Sequence, residues 1–411
     1  MFKEQIMATL ELQGDLKKTF DKVQQTETGA WVGHISHAAG AQLQVPLPQR
    51  YLDLNAEELE VAIARAKEVL GSRLVILGHH YQRADVIRWA DFRGDSFKLC
   101  KDAAARPDAQ YIVFCGVHFM AESADILSAP HQKVILPDLH AGCSMADMAD
   151  IDQVEEAWEA LSEICVGQKI IPITYMNSSA VLKAFVGRNG GAVCTSSNAQ
   201  KIMSWALRPE CEGGAGGTQL LFFPDQHLGR NTALLEMGFA ESDCVVWDPA
   251  EELGGNDEST LRAAPILLWK GHCSVHGQFL PIHIENVRKR YPGVQVIVHP
   301  ECTHEVVKLA DAYGSTEKIR KLVEAAPEGS TIAIGTEINL VSRLAVEHPN
   351  KTVVCLNPNV CVCSTMYRVD APHLLWVLEN LLNDKVVNQI AVPEPTASEA
   401  KLALQRMLDY A

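Results

Sequence analysis

A chain of 411 residues with 47 % hydrophobic and 21 % charged side chains exceeds one ordinary hydrophobic core. It has a globular rather than a disordered or fibrous composition, and its length gives roughly two to three domains. A formal charge of −15, with no Lys/Arg cluster to release counterions, argues against nucleic acid and anionic membranes as partners. With no signal peptide and no apolar window approaching about 18 residues, the expected place is the cytoplasm, where the twelve cysteines stay reduced instead of forming a disulfide framework.

Residues 1–50 lack a clear period and are punctuated by Pro46-Leu47-Pro48; they read as an N-terminal extension. Asn55 with Glu58 forms a capping-box signature, Leu59, Ile63, Ala66 and Leu70 give a helical stripe, and Gly71 stops it. The apolar run Leu74-Val75-Ile76-Leu77 then ends in Gly78-His79-His80-Tyr81. Two later runs end in the same manner, Ile170-Ile171-Pro172-Ile173 in Thr174-Tyr175-Met176-Asn177, and Val294 to Val298 in His299-Pro300-Glu301.

Between these landmarks short β-type runs (Tyr111–Phe114, Lys133–Leu136, Gln219–Phe223, Pro265–Leu268, Thr331–Ile334, Lys351–Val354) alternate with helix-length segments. Alternation of this kind predicts an α/β fold with parallel sheets covered on both faces. The stretch Gly213-Gly214-Ala215-Gly216-Gly217 has no residue able to hold a core and no Lys-Ser/Thr after it, so it reads as a surface insertion and not a phosphate loop.

Spacing strengthens the repeat. Ser96 follows His79 by 17 residues and Thr316 follows His299 by 17, while Ser196 follows Tyr175 by 21. Each Ser/Thr group opens a helical pattern, which amounts to a weak internal triplication. A Ser or Thr at such a place is ordinarily just a cap, worth about 1 kcal/mol. Three helix starts aimed at one point would bind a phosphate or carboxylates without net basic charge, reconciling an acidic protein with an anionic substrate. Ligands of open α/β sheets bind beyond the carboxyl ends of strands, so the polar rings there are candidate site residues. His and Tyr can carry protons, and Glu301 can act as a base if its pKa is raised.

Cysteines close apolar runs in Phe114-Cys115-Gly116, Trp269-Lys270-Gly271-His272-Cys273 and Cys361-Val362-Cys363. They form neither the paired motif of a zinc ribbon nor a ferredoxin run, and spacing alone nominates none of them. Scattered one to a repeat, they fit a cluster on a pseudo-threefold axis, with three thiolates and one open iron.

Taken in order, Gly78-His79-His80-Tyr81-Gln82, Ala90-Asp91-Phe92-Arg93-Gly94-Asp95-Ser96, Cys115 to Glu122, Thr174-Tyr175-Met176-Asn177-Ser178, Cys194 to Ala199, Pro224-Asp225-Gln226-His227-Leu228-Gly229, Trp269 to His276, His299-Pro300-Glu301 and Gly314-Ser315-Thr316 resemble one family. It is quinolinate synthase, the iron–sulfur enzyme of de novo NAD biosynthesis. The resemblance covers residues 74–368. It implies three pseudo-threefold-related α/β/α domains around a [4Fe–4S] cluster, divided as 51–115 (completed by 364–411), 116–273 and 274–363.

The resemblance also implies Cys115, Cys273 and Cys363 as cluster ligands. The family's Cys-Pro-x-Met reads here as Cys363-Ser364-Thr365-Met366, so Cys363 keeps the Met register and Cys361 is the runner-up; with Cys355 these cysteines are also close enough for a thiol switch. Tyr81, Glu301 and His276 would be catalytic, with His79, Ser96, Tyr175, Asn177, Ser196, His299, Ser315 and Thr316 binding substrate. The implied reaction condenses iminoaspartate with dihydroxyacetone phosphate, losing phosphate and water. Because iminoaspartate hydrolyses in water, an L-aspartate oxidase is the implied functional partner. The competing readings are a zinc hydrolase using His79, His299 and a cysteine, and a non-enzymatic binding protein for small anions.

Overall fold

A computed structural model describes residues 44–359 and 362–410. Most of the expected N-terminal extension, and Cys361, lie outside the described residues. Among the described residues thirteen strands form three parallel sheets, and a fourteenth joins the first antiparallel. The first holds β1 (Leu74–His79), β2 (Phe92–Gly94), β3 (Tyr111–Cys115) and β4 (Lys133–Ile135); the second holds β5 (Ile170–Tyr175), β6 (Ala192–Cys194), β7 (Gln219–Phe223), β8 (Cys244–Trp247) and β9 (Ile266–Trp269); the third holds β10 (Gln295–Val298), β11 (Ala312–Tyr313), β12 (Thr331–Gly335) and β13 (Thr352–Cys355). All are flanked by helices, and β1, β3, β7 and β9 are buried along their whole length. That burial explains their unbroken apolar runs.

The first three strands of each sheet share one order. β1 lies between β2 and β3, β5 between β6 and β7, and β10 between β11 and β12. The chain therefore reverses its progress across each sheet at the first strand, which puts a ligand crevice at the carboxyl end of β1, β5 and β10. Side chains repeat as well. Asp91 Oδ2 accepts the N–H of Ile76 (2.8 Å), and Asp311 Oδ2 accepts that of Val296 (2.7 Å). The small strands β2, β6 and β11, of two or three residues, are absent from the sequence expectations because each pairs with a single neighbour and carries too short a run to show a period.

The capping box is present as expected: Asn55 accepts from the N–H groups of Glu57 and Glu58, Glu58 returns to Asn55, and the four stripe residues of the helix Ala56–Leu70 are buried. The first sheet continues beyond residue 115, because β4 pairs in parallel with β3 and β14 (Gln389–Ile390) adds antiparallel to β4. The C-terminal segment therefore contributes to the first sheet, but its last helix, Thr396–Tyr410, packs elsewhere. Arg406 donates to the carbonyls of Gly187 (3.0 Å) and Gly191 (2.6 Å) beside the second sheet. The approach is so close that a Cβ on Gly187 would stand 1.9 Å from the Glu399 carbonyl oxygen.

Candidate active site

The carboxyl ends of β1, β5 and β10 converge on one chamber, a narrow cavity of about 70 Å³. Its lining includes His79, Tyr81, Ser96, Tyr175, Asn177, Ser196, His276, His299, Glu301 and Thr316, together with Cys273 and Cys363. Of the residues expected from sequence, two stand apart, Ser315 and Cys115.

Two strand ends have the same local hydrogen bond. The N–H of Tyr81 donates to His79 Nδ1 (3.2 Å), and the N–H of Glu301 donates to His299 Nδ1 (3.3 Å). An imidazole that accepts at Nδ1 carries its proton at Nε2. Burial lowers His79 well below the ordinary histidine value and brings His299 to about 3. Both rings are therefore neutral and present Nε2–H as a donor.

The helix starts differ by one residue from expectation. In the helix Ser96–Ala104, it is Asp95 whose carboxylate accepts the N–H of Lys98 (2.9 Å); in the helix Thr316–Ala325, it is Ser315 that accepts from Lys318. Ser315 is thus a cap outside the chamber, and Ser96 and Thr316 are the first helical residues, which line it. Relieved of capping, the Thr316 hydroxyl is buried without a protein partner, a donor left for a ligand. Ser196 precedes the third helix, Ala199–Leu207, in a loop where Asn198 Oδ1 accepts the N–H of Thr195 (2.7 Å).

One polar network crosses the chamber. Tyr175 donates to Glu301 Oε1 (2.6 Å), whose other oxygen lies 2.8 Å from His276 Nδ1. The far nitrogen of His276 is 3.3 Å from the Tyr81 hydroxyl, and Thr336 Oγ1 lies 2.7 Å from Tyr81 and 3.1 Å from His276. Burial opposes the Glu301 charge, but His276, by its charge and hydrogen bond, and the Tyr175 hydroxyl outweigh it and hold the group well below the usual carboxylate range. The condition set for Glu301 as a base, a raised pKa, is thus not met, and it stays a carboxylate. Burial, with the Glu301 charge, pushes the Tyr81 and Tyr175 phenols well above their ordinary value, so both keep their protons.

Cys115 stands apart from the other two expected cysteines. Cys115 ends β3 in register with Gly78, is 0 % exposed and takes no part in the chamber lining. Its motif serves the site differently, since Val117, Phe119 and Met120 form apolar wall, and buried Glu122 accepts the N–H of Ala180 (3.0 Å). The third cysteine in the chamber is Cys143.

Cys143, Cys273 and Cys363 share one construction. Each is followed by serine and stands three residues before a 3₁₀ turn, Ala146–Met148, His276–Gln278 and Met366–Arg368. Each carbonyl accepts from the residue four ahead, Asp147 (3.2 Å), Gly277 (2.9 Å) and Tyr367 (2.9 Å). Each thiol also receives the N–H groups two and three residues ahead. The signal was in the sequence: Cys-Ser occurs at all three places, and Cys115-Gly116 lacks it.

Burial pushes the Cys143 thiol up to about 12 and raises Cys273 and Cys363. The charge of Cys363 opposes ionisation of Cys143, and that of Cys143 opposes Cys273, so the three are electrostatic neighbours. Half-buried thiols given N–H donors for a negative sulfur are a donor set suited to a soft metal centre. Ligand atoms of Cys273, His276 and Glu301 also lie within 4.8 Å of one another.

Fold and site together define an α/β protein of three helix-flanked parallel sheets around a shared chamber. The family described as quinolinate synthetase A protein matches residues 61–409. Similar proteins include the quinolinate synthases of a Nocardioides species (60 % identical over 344 residues, 84 % of this chain and 87 % of the relative), of Streptomyces coelicolor (57 % over 351 residues, 85 % and 87 %) and of Corynebacterium glutamicum (54 % over 370 residues, 90 % and 92 %). The chain belongs to the quinolinate synthase family, and is an enzyme of that family. No helix among the described residues is long and apolar enough to cross a membrane.

Proposed function

We propose that the chain condenses iminoaspartate with dihydroxyacetone phosphate to quinolinate, releasing phosphate and water, as a step of NAD biosynthesis, with a [4Fe–4S] cluster held by Cys143, Cys273 and Cys363. The observation that carries the reading is the convergence of three Cys-Ser turns and three strand ends on one chamber. Held by three thiolates, such a cluster leaves one iron able to act as a Lewis acid toward a hydroxyl or carboxylate.

The protein's own groups divide the remaining work. The Thr316 and Ser96 hydroxyls, at helix N-termini, take phosphate and carboxylate oxygens. His79 and His299 donate from Nε2 to substrate oxygens, and Asn177 and Ser196 fix the second face. Tyr81, protonated and coupled to His276 through a 3.3 Å contact, is placed to give a proton to a leaving oxygen, with His276 replacing it. Glu301 holds His276 and the Tyr175 hydroxyl in orientation and stabilises the positive charge that the imidazole carries while it holds the proton destined for Tyr81. The apolar wall of Val117, Phe119, Met120, Met145, Val275 and Met366 excludes water, which the hydrolysable imine requires. Supply of the imine by an L-aspartate oxidase follows from the same chemistry.

A second reading rests on the 4.8 Å grouping of Cys273, His276 and Glu301: a single divalent metal such as zinc, serving a hydrolase. Protein purified anaerobically, analysed for iron, acid-labile sulfide and zinc, and assayed with dihydroxyacetone phosphate and iminoaspartate generated in situ separates the two. Iron and sulfide in near-equal amounts with quinolinate formed supports the first reading; stoichiometric zinc without quinolinate supports the second.

A further inference from the structure

Outside the chamber lies a second groove, sharing Asp95 and Ser196 with it. Its walls are the first turns of the three helices that begin at Ser96, Ala199 and Thr316. Each of these helices carries lysine at its third position, Lys98, Lys201 and Lys318, and all three line the groove. A cation in the first turn opposes the helix dipole, so the placement costs stability in each helix and is nonetheless made three times.

Two of the lysines, Lys98 and Lys318, are also seated alike. The stem of Lys98 lies across Gly94 and that of Lys318 across Gly314, so closely that a Cβ on either glycine would come within 2.9 Å and 2.3 Å of the stem carbons. Their ammonium groups sit 5.8 Å from the Phe92 ring and 5.5 Å from the Tyr313 ring. Lys201 is exposed. A separate observation points to a ligand: Asn198, 5 % exposed and part of the groove wall, uses its oxygen on Thr195 and leaves Nδ2 without a protein partner.

Four carboxylates stand in this region, and of these Glu236 lines the groove beside Lys318 and the Tyr313 hydroxyl, so it competes with a ligand for Lys318. Asp95 caps its helix, and Glu317 is bound by His80 (3.1 Å) and Arg320 (2.8 Å). Asp102 pairs with Lys98 at 2.5 Å, and this pair must part when Lys98 meets a ligand.

We infer that the groove is a docking vestibule for compact dianions, in which Lys98, Lys201, Lys318 and the Asn198 amide receive a phosphate ester or dicarboxylate before it enters the chamber. In an acidic chain it supplies the local positive field that the bulk of the surface withholds. The inference deepens the proposed function by naming how its anions arrive, but its binding test does not depend on that reaction.

The test compares wild-type holoprotein with the triple variant Lys98→Gln/Lys201→Gln/Lys318→Gln. The control is a variant of equal net charge, Lys289→Gln/Lys385→Gln/Lys401→Gln, altered at exposed residues on other elements. Calorimetric titration with inorganic phosphate, and separately with succinate, at low ionic strength should show binding weakened about tenfold or more in the groove variant alone. Loss of phosphate binding, succinate binding or both identifies the dianion that docks. In turnover, kcat/KM for the triose phosphate should fall about tenfold at roughly 20 mM salt and converge with wild type near 500 mM, where screening removes the field. Identical behaviour of groove and control variants in both titrations overturns the inference, as does a kcat/KM loss independent of salt. Weakened dianion binding in a protein whose wild type makes no quinolinate would uphold the vestibule and refute the proposed reaction.

Discussion

Replacing Tyr175 by phenylalanine keeps the ring and deletes one oxygen, the one that donates to Glu301 at 2.6 Å. Both side chains are 5 % exposed or less, so water cannot readily take the vacated place. A hydrogen bond to a buried charged group contributes about 1.5–3 kcal/mol. If Glu301 must stay ionised to stabilise positive charge on His276, that loss appears in the transition state as a fall in kcat/KM of about 12- to 160-fold. The fold and thiol turns are untouched, so iron content and melting temperature should stay close to wild type. The assay is quinolinate formation under anaerobic conditions, read beside iron content and a melting curve. A loaded, folded Tyr175→Phe enzyme within threefold of wild type would refute the role assigned to the Tyr175–Glu301–His276 chain.

Other consequences follow from the same structure. Thr316→Val removes the unpartnered hydroxyl and should raise KM for the triose phosphate about tenfold, whereas Ser315→Ala removes only a cap and should cost about 0.5–2 kcal/mol of stability with KM unchanged; steady-state kinetics and denaturant melts on the pair decide it. Gly187→Ala drives a Cβ against the Glu399 carbonyl and should cost about 1–3 kcal/mol by overpacking, visible as a lower melting temperature. Glu317, bound by His80 against the opposing effect of burial and further held by Arg320, is brought down to about 2. Its contribution to stability is therefore complete above the unfolded carboxylate value of about 4.3 and lost as pH falls through the folded one. The melting temperature of wild type should exceed that of Glu317→Gln at pH 6, with the gap closing toward pH 2; a gap independent of pH would contradict the pairing.

Much of this site is legible in the sequence because strand ends announce themselves. His79, Tyr175 and His299 each close an apolar run, and the 17-residue interval to Ser96 and Thr316 follows from one strand-to-helix excursion repeated in two sheets. What escapes is what depends on single hydrogen bonds. Asp95 and Ser315 take the caps, a shift of one residue that moves Ser315 out of the chamber and leaves the Thr316 hydroxyl free.

The cysteines show the limit most plainly. Cys115 sits where a strand ends, the position that organises the rest of the site, but its side chain is packed in the core of the first sheet. Cys143 lies well beyond β4, in irregular chain with no period to mark it. Only the recurrence of Cys-Ser ahead of a tight turn links it to Cys273 and Cys363, and that is a pattern of local backbone rather than of hydrophobicity. The first sheet runs on past Cys115 through β4, and β14 joins it from the C-terminal segment across a long sequence separation that no local pattern records.

Iron and acid-labile sulfide, measured with EPR on anaerobically purified Cys143→Ser and Cys115→Ser proteins, test the central claim most directly. The Cys143→Ser protein should fold but lose the iron–sulfur signal and quinolinate formation, while Cys115→Ser should keep both. A cluster retained without Cys143 and lost without Cys115 would contradict the assignment of the three Cys-Ser turns.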